Sequence, residues 1–213
     1  MPEIAVVDYG MGNLRSVAKA LEYVAEGQNV VVTSEADVIE NADRVVFPGQ
    51  GAARDCMQEL VDRKLADVVL KAAQEKPFLG ICMGMQVLLS HSEENNGVDC
   101  LGLYGGDVHF FGKELKNEQG EKLKIPHMGW NGVHHKKNHI LWHGIDDGSR
   151  FYFVHSYYID PEDASIVEAT TQYGFEFVSA IGRDNVFAVQ FHPEKSAQDG
   201  LQLLKNFSKW NGQ

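Results

Sequence analysis

The first half of the chain alternates short apolar runs with segments of helical periodicity, and this alternation limits the possible folds more than any other feature. The apolar runs predict strands near residues 4–9, 29–33, 44–47 and 78–81, with helices near residues 13–24, 54–73 and 83–90. Continuously apolar strands separated by helices are typical of a parallel sheet that helices cover on both faces. We therefore expect an α/β fold with a central, mostly parallel sheet.

The second half has a different pattern, with closely spaced strands and short turns. It predicts strands near residues 107–111, 122–125, 152–159, 166–169, 177–181 and 186–191, and a final helix over residues 197–210. Short connections of this kind favour an antiparallel or mixed extension of the same sheet. We find neither a repeat nor a linker, so residues 1–213 are expected to form a single domain.

Composition excludes several classes of function. With 30 acidic and 19 basic residues the net charge is −11, which disfavours a nucleic-acid surface. No apolar run approaches the roughly 20 residues of a membrane span, and the stretch MPEIAVVD lacks the features of a signal peptide. The spacing of the three cysteines fits neither a disulfide framework nor a metal site. We expect a cytoplasmic protein with free thiols.

The segment GICMG, residues 80–84, has the layout of a nucleophile elbow, in which a strand turns sharply into a helix. Its glycines allow the strand and helix to approach closely, and Cys82 then lies at a helix N-terminus, where free N–H groups favour the thiolate. This pattern makes Cys82 a candidate nucleophile. The alternative is a small buried apolar residue, which is the role of most free cysteines.

The segment VQFHPE, residues 189–194, supplies a candidate base for this nucleophile. Pro193 favours an extended conformation at His192, and in extended backbone residues i and i+2 project to the same side. Glu194 can therefore contact the His192 imidazole, fix its tautomer and stabilise its charged form. A histidine in a solvated turn is the alternative if Cys82 is not a nucleophile.

A third segment, VVFPGQG at residues 45–51, is another strand that ends in a glycine-rich turn before a helix. Acyl transfer to a thiolate generates an oxyanion, which two backbone N–H donors stabilise by about 3 kcal/mol each. The natural donors are the amides of Met83 and Gln50. An ordinary strand-to-helix turn is the alternative interpretation.

Together PGQG, GICMGMQ and FHPE resemble the class I, triad-type glutamine amidotransferases over the whole chain. The resemblance implies a flavodoxin-like fold and a triad of Cys82, His192 and Glu194 that hydrolyses glutamine through a thioester. It implies an oxyanion hole at Gln50 and Met83 and no cofactor. The glutamine-binding residues that it implies are Gly49, Gly51, Gln86, Glu94, Ser156 and Tyr157.

Three further segments, DYGMGNLRSV, PHMGWN and YFVHSYY, resemble the glutaminase subunits of imidazole glycerol phosphate synthase. That resemblance implies a heterodimer in which ammonia passes to a (β/α)8 cyclase, which makes imidazole glycerol phosphate and an aminoimidazole carboxamide ribonucleotide in histidine biosynthesis. The residues implied to face the cyclase are Asn13, Met128, Trp130, Asn131 and Lys195. If it is not an interface residue, Trp130 is a core residue.

Several alternatives stay open at this point. The triad also fits a glutaminase that serves a pyridoxal phosphate or anthranilate synthase, a non-catalytic docking module, or a cysteine hydrolase acting on peptides. A dinucleotide site is rejected because Arg15 replaces the third glycine of the motif that Gly10 and Gly12 begin. The histidine-rich segment 134–143 lacks a carboxylate or cysteine ligand, so no metal site is expected there.

Overall fold

The computed structural model describes residues 3–213. The helices are α1 (Leu14–Val24), α2 (Ala36–Asn41), α3 (Ala53–Asp62), α4 (Ala66–Glu75), α5 (Met83–Gln86) and α6 (Ala197–Lys209). The strands are β1 (Glu3–Val7), β2 (Asn29–Thr33), β3 (Arg44–Gly49), β4 (Phe78–Cys82), β5 (His91–Ser92), β6 (Val98–Asp99), β7 (Gly106–Phe110), β8 (His127–Gly132), β9 (His134–His135), β10 (Arg150–His155), β11 (Tyr157–Pro161), β12 (Val167–Tyr173), β13 (Phe175–Arg183) and β14 (Val186–Val189).

The main sheet has a parallel half and a largely antiparallel half. Strands β2, β1, β3, β4 and β14 are adjacent in this order and all parallel. Strand β13 then pairs antiparallel with β14, and β11 and β7 continue the antiparallel part. The predicted parallel core and its antiparallel extension are therefore confirmed.

Helices cover both faces of the parallel half, because each buried strand has apolar side chains on both sides. On one face, α1 and α6 pack through Val17, Leu21 and Phe207 against strand residues such as Val6 and Val46. On the other face, α2, α3 and α4 enclose a second core, to which the strands contribute residues that include Ala5, Val45 and Phe47. The apolar stripe of α1 follows the predicted helical spacing, and Asn13 precedes it without a side-chain bond to a backbone N–H.

The single helix predicted over residues 54–73 is wrong, since the structure has two helices with a break between them. Lys64 adopts a left-handed conformation, with φ of 58°. The amide of Leu65 donates to the Leu60 carbonyl, the bond that closes a helix end when the preceding residue is left-handed. The chain therefore turns after α3 and begins α4 at a new angle.

The helix predicted over residues 83–90 is also too long, because α5 has only four residues. The carbonyls of Val87 and Leu88 accept hydrogen bonds from the amides of Leu101 and Tyr104, so the backbone after α5 bonds to a neighbouring loop. The strand predicted over residues 122–125 is wrong as well. Only Lys122 forms an isolated bridge, with Lys116, inside a surface turn.

The strand predicted over residues 152–159 is two strands that belong to different sheets. Strand β10 pairs with β8 in a separate two-stranded antiparallel sheet, whereas β11 joins the main sheet. Ser156 lies at the bend between them. This division places Ser156 at the junction of the two sheets, next to the carboxyl ends of the parallel strands.

Candidate active site

The candidate catalytic segments meet at one edge of the parallel sheet. Gly49 ends β3, Cys82 ends β4, and His192 follows β14, so all three lie at strand carboxyl ends, where α/β folds bind their ligands. A cavity of about 440 Å³ opens at this edge. Its walls are formed by Gln50, Gly51, Cys82, Met83, Gln86, Glu94, Pro126, Val154, His155, Ser156, Tyr157, His192 and Lys195.

Cys82 has the strained backbone expected of a nucleophile elbow, with φ of 56° and ψ of −110°. The flanking residues must be glycine because any side chain there would collide with neighbouring atoms. A Cβ atom on Gly80 would lie 2.9 Å from Cβ of Ala188, and one on Gly84 would lie 1.9 Å from the Phe47 carbonyl oxygen. Because α5 is a single turn, the support for Cys82 comes from this close packing and much less from a helix dipole.

His192 and Glu194 form the predicted pair. Nδ1 of His192 lies 2.9 Å from Oε1 of Glu194, and the two side chains are 3% and 0% exposed. Burial disfavours the charged imidazole, but the adjacent Cys82 and the Glu194 carboxylate outweigh burial and raise the pKa of His192 to about 10. With Nδ1 committed to Glu194, Nε2 of His192 faces Cys82 and makes no hydrogen bond to any other group within residues 3–213.

The turn after β3 lies beside the nucleophile, as the oxyanion-hole hypothesis requires. Gln50, Gly51 and Met83 line the cavity. Gly49 is buried and does not line the cavity; a Cβ on Gly49 would lie 2.4 Å from Oη of Tyr9. The loop after β1 supports the turn from outside, since a Cβ on Gly12 would lie 3.4 Å from the Gln50 amide nitrogen.

Four other side chains predicted to bind glutamine reach the cavity: Gln86, Glu94, Ser156 and Tyr157. Oε1 of Gln86 is buried without a partner among the described residues, so the cavity presents an unused acceptor. Glu94 accepts a hydrogen bond from the Ala53 amide at 2.7 Å, and its partial burial raises its pKa. The cavity thus offers a carboxylate and a free amide oxygen to a cationic group.

Residues predicted to face a partner lie along β8 and near the cavity mouth. Met128 and Trp130 project from the same side of β8 and are 61% and 44% exposed. Asn131 projects to the other side, where its amide contacts His127 and the Gln172 carbonyl. The two other predicted interface residues, Lys195 and Asn13, are half-buried. Nζ of Lys195 lies 5.9 Å from the ring centre of Tyr152, and Oδ1 of Asn13 accepts a hydrogen bond from the Ser16 hydroxyl.

Sequence reasoning missed Gln190, a fully buried side chain whose Nε2 lies 3.7 Å from Sγ of Cys82. A signal for it was present, because the i, i+2 rule that pairs His192 with Glu194 also places Gln190 on the same side. Sequence reasoning also missed His127 and His155, which are buried and 2.9 Å apart across β8 and β10. Their pairing depends on strand register, which has no local signal.

The other two cysteines lie outside the cavity. Burial raises the pKa of Cys56 to about 12, and Sγ of Cys56 donates to Oη of Tyr9 at 3.3 Å. Burial likewise raises the pKa of Cys100 to about 11. These thiols are therefore protonated at neutral pH, as expected of inert cysteines.

The histidine side chains of segment 134–143 contact different neighbours and do not form one cluster. His134 lies 3.8 Å from Asp147, whereas His135 stacks on Trp142 with ring centres 4.3 Å apart. Across residues 3–213, no group of three or more histidine, cysteine, aspartate or glutamate side chains is arranged to hold a metal ion. In the same range, no helix combines the length and apolarity needed to cross a membrane.

Several solved structures share the fold of this chain at low sequence identity. A Thermoplasma acidophilum protein assigned to GMP synthase superposes with a TM-score of 0.69 at 19% identity, covering 98% of this chain and 92% of that chain. The structure of PurLQS from Thermotoga maritima gives a TM-score of 0.68 at 20% identity, covering 97% of each chain. The glutaminase domain of Trypanosoma brucei CTPS gives a TM-score of 0.62 at 18% identity, covering 99% of this chain and 95% of that chain. At these identities the likeness establishes the fold.

Sequence comparison is more specific. The family model described as glutamine amidotransferase class-I matches residues 5–210. Imidazole glycerol phosphate synthase subunit HisH of Dechloromonas aromatica is 61% identical over 97% of this chain and 96% of its own length. The HisH subunit of Pseudomonas putida is 58% identical over 100% of this chain and 99% of its own length. The chain therefore belongs to the class I glutamine amidotransferases and, within them, to the HisH subunits of imidazole glycerol phosphate synthase.

Proposed function

We propose that this chain hydrolyses glutamine to glutamate and ammonia, with Cys82, His192 and Glu194 as its catalytic triad. The observation that carries the proposal is the meeting of a strained cysteine elbow and a carboxylate-bound imidazole in one cavity. The family to which the chain belongs supports the same reaction. The whole of residues 1–213 acts as one glutaminase domain.

The reaction begins with attack of Sγ of Cys82 on the side-chain amide carbon of glutamine, which forms a C–S bond and an oxyanion. The amides of Gln50 and Met83 stabilise that oxyanion. The His192 imidazolium gives its proton to the departing nitrogen as the C–N bond breaks, releasing ammonia and a γ-glutamyl thioester. His192 then takes a proton from water, the hydroxide displaces Sγ, and glutamate leaves.

The protonation state of His192 suits this sequence. Because its pKa is raised to about 10, the imidazole is charged at neutral pH and holds a proton that it can give to the departing nitrogen. The Glu194 carboxylate accepts from Nδ1 and so keeps Nε2 directed to the reacting atoms. Glu194 is therefore the orienting member of the triad.

The cavity fits the two ends of glutamine. We assign the α-ammonium group to Glu94 and the free Oε1 of Gln86, which provide a negative charge and an unused acceptor. Gly51 and the backbone around Ser156 and Tyr157 hold the rest of the amino acid, while Gly49 acts by fixing the oxyanion turn.

The chemistry of the released ammonia calls for a partner protein that receives it. Free ammonia in neutral water becomes ammonium, which is not nucleophilic, so a closed passage to a second active site preserves the reactive form. We propose that the (β/α)8 cyclase subunit docks against Met128, Trp130 and the adjoining Asn13, Asn131 and Lys195. The cyclase then uses the ammonia to make imidazole glycerol phosphate and the aminoimidazole carboxamide ribonucleotide. We propose that the protein is located in the cytoplasm, where cysteines usually stay unpaired, as its three free cysteines do.

The test measures glutamate release by the purified chain alone, and then with the cyclase and its ribonucleotide ligand. We expect a low rate that rises sharply in the complex. Cys82→Ala should abolish release while Cys100→Ala, which changes a thiol outside the cavity, should preserve it. Release retained by Cys82→Ala, or a full rate without any partner, would contradict the proposal and favour a different hydrolase.

A further inference from the structure

A row of buried polar groups begins at the nucleophile and uses the side chain that sequence reasoning missed. Nε2 of Gln190 donates to Sγ of Cys82, with the two atoms 3.7 Å apart. Oε1 of Gln190 accepts from Nε2 of Gln86 at 3.0 Å, and the same Nε2 donates to the Tyr157 carbonyl at 3.1 Å. The contacts of Gln190 with Cys82 and with Gln86 are buried, and the contact of Gln86 with the Tyr157 carbonyl is partly buried in the cavity wall.

The Tyr157 carbonyl is also the end of a second row, which comes from the partner-facing strand β8. Nδ1 of His155 donates to this carbonyl at 2.8 Å. Nε2 of His155 lies 2.9 Å from Nδ1 of His127, and Nε2 of His127 lies 3.2 Å from Nδ2 of Asn131. We call the two rows together the polar chain, which consists of Cys82, Gln190, Gln86, Tyr157, His155, His127 and Asn131.

The direction of each hydrogen bond in the polar chain is determined by backbone groups, since a carbonyl can only accept and an amide N–H can only donate. Because the Tyr157 carbonyl accepts from His155 Nδ1, Nε2 of His155 must accept and Nδ1 of His127 must donate. The Gly132 amide donates to Oδ1 of Asn131 at 2.8 Å, so the Asn131 amide group is the donor to His127. One orientation of the whole set therefore satisfies every contact.

The same argument orients the branch that reaches the nucleophile. Nε2 of Gln86 faces the Tyr157 carbonyl, so the atom of Gln190 that meets it must be the oxygen. The N–H group of Gln190 is then necessarily directed at Sγ of Cys82. The polar chain thus selects the rotation of Gln190 that presents an N–H donor to Sγ of Cys82.

We propose that Gln190 is a positioning residue for Cys82, and that the polar chain keeps its N–H directed at Sγ and links this orientation to Asn131 on β8. The inference rests on the proposed function only in assigning Cys82 as the nucleophile. It goes further by giving the partner-facing strand a physical connection to the sulfur. Burial lowers the pKa of His127 to about 4 and that of His155 to about 3, so both are neutral and keep one donor and one acceptor.

The polar chain orients groups and does not conduct protons. Its two branches both donate to the Tyr157 carbonyl, which has no proton to pass on, so a proton cannot cross from one branch to the other. A displacement of β10, which carries His155 and leads into Tyr157, changes both branches together. Because β8 pairs with β10, a partner that docks on β8 and displaces β10 would change the donor presented to Cys82.

The test replaces Gln190 with methionine, which has similar size and lacks the donor. Alkylation of Cys82 by iodoacetamide at pH 7 in the free chain, followed by mass spectrometry, should slow about tenfold, the factor expected for a hydrogen bond to a charged acceptor. With the cyclase present, kcat for glutamine should fall by a similar factor while KM changes less than twofold. Unchanged alkylation and kcat would overturn the role of Gln190.

A matched control is Gln28→Met, which removes another side-chain donor, to the Ser208 carbonyl, far from the cavity. It should leave the alkylation rate unchanged. The link to β8 is tested by combining Gln190→Met with Asn131→Leu in a double-mutant cycle on the alkylation rate. Independent sites would multiply their effects, which would refute the link, whereas the polar chain predicts a combined effect at least threefold smaller than that product.

These measurements separate the two proposals. Slower alkylation in Gln190→Met without any glutamine hydrolysis by the parent complex would remove the proposed function and keep the positioning role. Full hydrolysis with no effect of Gln190→Met would do the reverse. Circular dichroism of each variant shows whether it is folded, and Gln190→Leu provides a second replacement without a donor if the methionine variant fails to fold.

Discussion

Gly84→Ala tests whether close packing behind the elbow holds the nucleophile. The added Cβ would lie 1.9 Å from the Phe47 carbonyl oxygen, and side-chain carbons essentially never approach closer than 3.0 Å. Helix α5 and strand β3 must therefore separate by about 1 Å. Such overpacking costs about 1–3 kcal/mol, against a gain of about 1 kcal/mol from the higher helix propensity of alanine.

The difference of these two effects predicts that the free energy of unfolding falls by up to about 2 kcal/mol, measured by urea denaturation. The effect on chemistry should be larger, because a displacement of about 1 Å in a reacting group reduces rates about a hundredfold. Glutamate release by the complex should show that loss. The stability measurement and the rate measurement together distinguish local displacement from general unfolding.

The control is Gly132→Ala, in which the new Cβ meets no atom closer than 3.4 Å. It should change the free energy of unfolding by less than about 0.5 kcal/mol. If Gly84→Ala were as stable and as active as the parent chain, the idea that glycine is required behind the elbow would be refuted.

Glu194→Gln should lower the pKa of His192 from about 10, as seen by NMR titration, and reduce kcat at least about a hundredfold; an unchanged titration would make Glu194 merely structural. The free energy of unfolding should decrease as pH falls from 6.5 towards 4. In this range His127 and His155 bind protons in the unfolded chain but stay neutral in the folded chain, where burial lowers their pKa values. Each histidine contributes up to about 1.4 kcal/mol per pH unit, and His127→Phe should flatten the slope measured by urea denaturation at pH 7 and pH 5. Trp130→Ala should weaken cyclase binding about thirtyfold in calorimetry, with little loss of stability; an effect equal to that of Ile140→Ala, another exposed position, would exclude an anchoring role.

The parts of the molecule that could be predicted are those with local causes. Continuously apolar runs indicate strands buried on both faces, which is why the parallel half of the sheet was predicted correctly. The contact of His192 with Glu194 follows from the proline between them and the two-residue period of extended backbone. The elbow could be predicted because Gly80 and Gly84 have no Cβ atoms, which allows the strand and the helix to approach closely.

The parts that were missed have long-range causes. Residues 152–159 are aromatic or aliphatic except for His155 and Ser156, and nothing in them shows that β10 joins a different sheet from β11. The sequence has no glycine to indicate the helix break, because Lys64 itself takes the left-handed conformation there. The buried pair of His127 and His155 requires the register of two strands that are far apart in the chain. These features could be found only once the strands had been placed.

The strained backbone at Cys82 means that fold and function make opposite demands on one position. A positive φ at a residue with a side chain costs about 1–3 kcal/mol, a cost that glycine avoids. Cys82→Gly should therefore be more stable than Cys82→Ala, and any screen that selects only for heat resistance should enrich glycine at this position. Thermostable variants of the chain are best chosen with position 82 held constant, since the stabilising change there is also the inactivating one.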